Sequence, residues 1–191
     1  MSIFVHESSF VDEGAEIGEE TKIWHFSHIS SGAKIGKNCS FGQNVYVANN
    51  VVIGDNVRVQ NNVSIYDNVT IEDDVFCGPS MVFTNVINPR AHVSRKDEYL
   101  DTLIKKGSSI GANATIICGT TLGVYSFVAA GAVIVKDTLP FSLNAGVPSK
   151  QISWITREGN SFKLEENKEY LCKDTGVIYF LEDKKISIRD K

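Results

Sequence analysis

Amide and hydroxyl side chains recur at every eighteenth position in the first half of this chain. Gln43 is matched by Asn61, Asn44 by Asn62, and His28 by Tyr46 and then Ser64, while Asn49, Asp67 and Asn85 form another series. With His25 and Tyr66 close by, these groups supply hydrogen-bond donors and acceptors suited to recognising a polar ligand. Amides at such a spacing can equally form ladders that hold successive layers of a fold together.

A period of six positions them. Stepping outward from Ile65 gives Val5, Val11, Ile17, Ile23, Ile29, Ile35, Phe41, Val47, Ile53, Val59, Ile71, Cys77 and Phe83, and the rule resumes at Ile110, Ile116, Leu122, Val128 and Ile134. Nineteen of nineteen positions are apolar in a chain that is 42% hydrophobic, which chance would produce roughly once in ten million trials. Two residues before most of them stands a small or compact side chain, among them Ala15, Thr21, Ser27, Ala33, Cys39, Val45, Val57 and Val63, a second inward column. The residues between are rich in Gly, Asn and Asp, which tolerate tight corners. A helix or an ordinary strand does not repeat at this interval, but a solenoid with three short flat sides does. Three hexapeptides close one coil, so side chains one coil apart in sequence stack.

The repeat breaks once. The step from Phe83 to Ile110 is not a multiple of six, so "TNVINPRAHVSRKDEYLDTLIKKG", residues 84–107, is expected to leave the coil as a long loop excursion. An excursion of this length favours a binding loop over a mere linker, although a solvated loop with surface ion pairs is the alternative. This one carries Arg90 and Arg95, placed to meet an anionic substrate, although both could instead pair with Asp97, Glu98 or Asp101. Residues 151–191 lose the period. "EYLC", "KDTG" and "VIYFLE" read as a hairpin with "ISI" as a third strand, a small cap against the open solenoid end. The expected organisation is therefore all-β: a solenoid over 1–150 and a C-terminal extension over 151–191.

Composition limits the partners. The net charge is −4 with no basic run, which argues against nucleic acid. No apolar run approaches a membrane span, and "MSIFVHESSF" lacks the pattern of a secretory signal. Cys39, Cys77, Cys118 and Cys172 show no CxxC pairing and read as packed, reduced thiols of a cytoplasmic protein.

The repeat resembles the hexapeptide-repeat, left-handed parallel β-helix family over roughly residues 4–137, and the handedness is taken from that resemblance. The strings "FCGPSMVFTNVINPR", "RKDEY", "IGANATIICG", "GAVIVKD" and "GVPSKQISW" narrow it. They are similar to the N-acetyltransferases of nucleotide-linked 3-amino sugars, in particular those acting on UDP-2-acetamido-3-amino-2,3-dideoxy-glucuronate in bacterial surface polysaccharide (lipopolysaccharide, O-antigen) synthesis. A related group acts on dTDP-3-amino-3,6-dideoxyhexoses.

The resemblance implies acetyl-CoA as acyl donor and a homotrimer with sites between subunits. It places Asn85, in "FTN", at the reacting amine, where it can accept a hydrogen bond from the nitrogen but cannot act as a base. His25, His28, Gln43, Asn44, Tyr46, Asn61, Asn62, Ser64, Tyr66, Arg90 and Arg95 are then the expected substrate contacts. Gly111, Ala130 and Gly131 would let pantetheine approach the backbone, and Lys136 and Lys150 could meet its phosphates. "GVPSK" has Ser149 where the family usually has Ala. A zinc enzyme of the carbonic-anhydrase type shares the solenoid but needs three converging ligands. His25, His28 and His92 are the available set, and no metal is expected.

Overall fold

A computed structural model describes residues 2–189; the outer ends of both expected segments, at residues 1, 190 and 191, lie outside it. The chain winds as a parallel β-helix whose three faces are ladders of very short strands. The first face stacks Phe4–Val5, Lys22–Ile23, Ser40–Phe41, Arg58–Val59, Phe76–Cys77, Ser109–Ile110 and Phe127–Val128, and the second runs from Phe10–Val11 through His28–Ile29, Tyr46–Val47, Ser64–Ile65, Val82–Phe83 and Thr115–Ile116 to Val133–Ile134. The third runs from Glu16–Ile17 to Thr121–Leu122. Register confirms the coil length, since Lys22 pairs with Ser40, His28 with Tyr46 and Lys34 with Val52, each by the same step of three hexapeptides.

The second residue of each pair points inward. Ile23, Ile29, Phe41, Val47, Ile65, Cys77, Ile110, Ile116 and Val128 are all fully buried in one continuous core. Val5 and Val11 obey the sequence rule yet are exposed, because the first coil is covered from one side only. Small polar residues of the second inward column satisfy themselves against the backbone: Thr21 Oγ1 donates to the Gly36 carbonyl at 2.9 Å and Ser27 Oγ to that of Gly42 at 3.0 Å. Burial pushes the Cys77 thiol up to about 12 and raises that of Cys39 as well, so both remain neutral packing groups. All four cysteines are free and buried.

Corners join the faces, and the one between the first and second faces repeats a left-handed residue. Phe26, Asn44 and Asn62 occupy that position between the first and second faces, with φ of 59°, 56° and 61°. Coils also approach closely there. A Cβ on Gly111 would stand 2.5 Å from the Ala130 nitrogen, so this glycine is demanded by coil stacking alone.

The excursion leaves from the corner between the second and third faces. Ile71 pairs with Ile104, far beyond the single-coil step that joins Ile53 to Ile71. The loop therefore spans 84–101, and Thr102–Ile104 is already a strand of the third face. The expected return after 107 is one hexapeptide late: Ile104 stands one repeat before Ile110 and continues the series. Lys106 accordingly belongs to the coil, bridging Asp73 and Asp74 at 3.5 and 3.4 Å.

After the last coil, Ser142–Ala145 continues the first face, and Lys150–Ile155 and Ser161–Phe162 add to it antiparallel. Glu169–Leu171, Ile178–Glu182 and Lys185–Arg189 make a separate antiparallel sheet. A second core of Phe141, Trp154, Phe162, Cys172 and Tyr179, with Tyr125 against it, joins this extension to the last coil.

Candidate functional site

The polar series read from the sequence form real columns, but on two edges of one face. Gln43, Asn44, Asn61 and Asn62 lie with His25 at the corner before the second face. Tyr66, Asp67 and Asn85 lie at the corner after it. Between them, His28, Tyr46 and Ser64 stack along the face in direct register. The two edges are about 15 Å apart at the rise of a strand.

On the first edge the amides largely engage one another. Asn44 Nδ2 donates to Asn62 Oδ1 at 3.1 Å, and the Gln43 backbone N–H donates to Asn61 Oδ1 at 2.8 Å. The corner between the third and first faces, where no site was expected, carries the same device: Asn38 donates to Asn56 at 3.1 Å and Asn56 to Asp74 at 2.7 Å. Gln43, Asn61 and His25 nevertheless line an open recess of about 360 Å³ with Trp24 and Gln60. The His25 ring stacks on His6 at 3.5 Å, an arrangement the sequence did not suggest.

On the face itself, His28 Nε2 lies 3.0 Å from Asp12 Oδ1 and 3.1 Å from Oδ2. The carboxylate orients the imidazole with Nδ1 turned away from it. Tyr46 follows with its ring 5.7 Å from that of His28, and Tyr66 is 6.4 Å beyond. Three coil steps separate His28 from Asn85, about 14 Å at inter-strand spacing.

Asn85 stands at the foot of the excursion. Its carbonyl accepts from the Leu100 amide at 3.1 Å, which clasps the loop shut where it leaves the coil. The residue is half-buried. Within the loop, Arg95 Nη1 holds both oxygens of Glu98, at 2.7 and 2.9 Å, around the one-turn helix Lys96–Glu98. The guanidinium expected to meet an anion is thus engaged locally through Nη1, while its Nε is buried without a hydrogen-bond partner. Arg90 is exposed, and among the described residues its guanidinium donates to the Pro89 carbonyl alone, at 3.0 Å.

The expected cofactor residues also divide. Gly111, Ala130 and Gly131 continue the first edge beyond Asn62. Gly131 lies open, with φ of 69° and no atom within 4 Å of the place a Cβ would occupy. Lys136 lies past the second face and lines, with Lys150, a recess of about 340 Å³ that also holds Asp137, Thr138, Asn144 and Ser149. Among the described residues no three His, Cys, Asp or Glu side chains gather as a metal site; His25, His28 and His92 stand at a corner, on a face and in the loop. No helix among them is long and apolar enough to cross a membrane.

Fold and repeat together define the class. Residues 14–49 match the family described as bacterial transferase hexapeptide (six repeats), and residues 32–67 and 104–136 match the hexapeptide repeat of succinyl-transferase. With three parallel ladders in coil-to-coil register, the chain is a hexapeptide-repeat, left-handed parallel β-helix.

Similar proteins are more particular. A dTDP-3-amino-3,6-dideoxy-alpha-D-galactopyranose 3-N-acetyltransferase of Aneurinibacillus thermoaerophilus is 39% identical over 67 residues, 35% of each chain. A 2,3,4,5-tetrahydropyridine-2,6-dicarboxylate N-acetyltransferase of Brevibacillus brevis is 42% identical over 59 residues, 29% of this chain and 25% of that one. The matched stretches thus span only a minor part of the length of these relatives. Among solved structures, a hexapeptide-repeat acetyltransferase of Vibrio cholerae in complex with acetyl coenzyme A is 25% identical with a TM-score of 0.55, covering 74% of this chain and 70% of that one.

Proposed function

We propose that the protein is an acetyl-CoA-dependent N-acetyltransferase acting on the amino group of a nucleotide-linked 3-amino sugar. The observation that carries this is the 39% identity to a sugar 3-N-acetyltransferase. The geometry supports it, since the column His28, Tyr46 and Ser64 leads along one face toward Asn85 at the loop foot. The amine nitrogen attacks the thioester carbonyl, a C–N bond forms, the C–S bond breaks, and coenzyme A leaves as thiolate. Asn85 Oδ1 accepts a hydrogen bond from the amine and aims its lone pair. The surplus amine proton passes to water or to the departing thiolate, so no side chain need serve as base.

The sugar is read as UDP-2-acetamido-3-amino-2,3-dideoxy-glucuronate, because Arg90 offers an exposed cation on the excursion that a uronate carboxylate would engage. A second reading, a dTDP-3-amino-3,6-dideoxyhexose, is favoured by the substrate of the Aneurinibacillus relative. The product would serve bacterial surface polysaccharide assembly from the cytoplasm, made by a homotrimer. Release of coenzyme A is to be followed with UDP- and dTDP-linked 3-amino sugars. Turnover is expected with one of them and strongest for the uronate; no release with any would overturn the acetyl-transfer reading.

A further inference from the structure

Phe26 holds a backbone conformation its side chain disfavours, and its ring is left largely in solvent. Its φ is 59°, the left-handed region in which a bulky residue is strained. The same corner position in the next two coils is filled by Asn44 and Asn62, the type that tolerates it. Tyr125 and Phe141 are also left-handed, at 52° and 59°, but their rings stack on each other 5.4 Å apart against the second core. Phe26 meets only a tilted His25 ring, 5.9 Å away, and stays 68% exposed. One coil earlier, paired in register with His28, Phe10 is 72% exposed.

These two rings, with Ser8, Asp12, Ser27 and His28, line one open recess of about 380 Å³, a size typical of small-molecule sites. Exposed aromatic faces beside a hydrogen-bonding edge suit a nucleobase, which stacks through its plane and is read at its rim. The edge here is the Asp12–His28 pair, 3.0 Å apart. With Nε2–H directed to the carboxylate, His28 Nδ1 offers a lone pair and Asp12 keeps free acceptor capacity. Uracil and thymine present an imide N–H to such acceptors. Along the second face, His28 lies three and Phe10 four inter-strand steps from the Asn85 coil, about 14–19 Å, the reach of a nucleotide together with the sugar it carries.

We infer that Phe10 and Phe26 form the stacking subsite for the pyrimidine base of the nucleotide-linked substrate, with Asp12 and His28 reading its imide edge. The nature of the ligand rests on the acetyl-transfer reading above. Strain at Phe26 is then retained because the ring is needed where it stands.

Phe26→Asn tests this while sparing the fold, since it installs the residue that the next two coils use. Its unfolding temperature is expected to equal or exceed that of the wild type. Calorimetric titration of the intact oligomer with UDP and dTDP should show affinity reduced roughly five- to a hundredfold, the worth of one base–aromatic stack, while coenzyme A affinity stays unchanged. Phe10→Ala should weaken the nucleotides similarly. Wild-type affinity for UDP and dTDP in both variants overturns the subsite, as does tighter binding of GDP than of either pyrimidine nucleotide. So does a change of oligomeric state in Phe26→Asn with nucleotide affinity intact, which would make the rings a subunit contact. Coenzyme A release that is insensitive to both substitutions would reject the subsite and leave acetyl transfer standing. Stacking-dependent UDP binding without turnover of any amino sugar would do the reverse.

Discussion

Asn38, Asn44 and Asn56 donate their side-chain amides to the corner residue of the next coil, whereas Asn85 holds the loop through its backbone carbonyl. The sequence shows that such residues stack, but a structural ladder and a recognition stripe demand the same residue types at the same spacing. Only the direction of each amide separates them. Asn44 and Asn62 would contribute to stability whatever else they touch, while Asn85 is available to a ligand. Asn85→Ala is therefore expected to leave the unfolding temperature within about a degree or two, as for surface substitutions. It should lower kcat more than it raises KM for the sugar, because orientation of the amine matters most in the transition state. Steady-state kinetics at saturating acetyl-CoA check this, and an unchanged kcat would remove Asn85 from the reaction.

At the scale of elements, the coils were legible because each inward side chain is a separate test of one period, and the tests agree. The excursion is legible as a break, but the expected return at Ile110 comes one repeat late, since Thr102–Ile104 already pairs with Val69–Ile71. Ile104 sits between Asp101 and the pair Lys105 and Lys106, charges that look like loop, so composition masks the period. Which arginine faces outward was not legible at all. Arg95 is captured by Glu98 one helical turn on, a consequence of local backbone geometry that spacing alone does not announce. The two arginines should consequently behave differently. Arg90→Ala should reduce kcat/KM for a UDP-linked uronate by roughly ten- to a hundredfold, the scale of a charge-assisted hydrogen bond, and leave the 6-deoxy counterpart unaffected. Arg95→Ala should affect both sugars alike, through a loosened loop. Equal loss of both substrates in Arg90→Ala would remove the carboxylate contact, and a wild-type preference for the dTDP-linked 6-deoxy sugar would transfer the substrate assignment to the second reading.

The whole molecule is a prism with unequal ends. Its last coil is closed by the second core, while the first exposes Phe4, Val5, Phe10 and Val11. Apolar side chains also stand outward on the faces, at Val52, Phe76 and Val82. The residues expected to hold acetyl-CoA occur on two separated parts of the protomer, Gly111, Ala130 and Gly131 on the first edge and Lys136 with Lys150 past the second face. No bend of a packed β-helix can bring those edges together. A neighbouring copy related by rotation can, because closed cyclic symmetry sets one edge of each protomer against a different surface of the next. The assembly implied by the resemblance of the repeat is a homotrimer, and its sites are then expected to be shared. Light scattering should give about three times the 21.0 kDa chain mass. Shared sites have a sharper consequence. Gly131→Glu, which places a bulky charge at the open first-edge corner, should be inactive or nearly so, and Asn85→Ala should be slowed in kcat as above. Co-refolding the two should restore part of the activity, since some mixed interfaces receive an intact first edge from one protomer and an intact Asn85 from the other. A stable, fully active monomer would sink the trimer, and a trimer whose mixed variants regain nothing would show each site to lie within one chain.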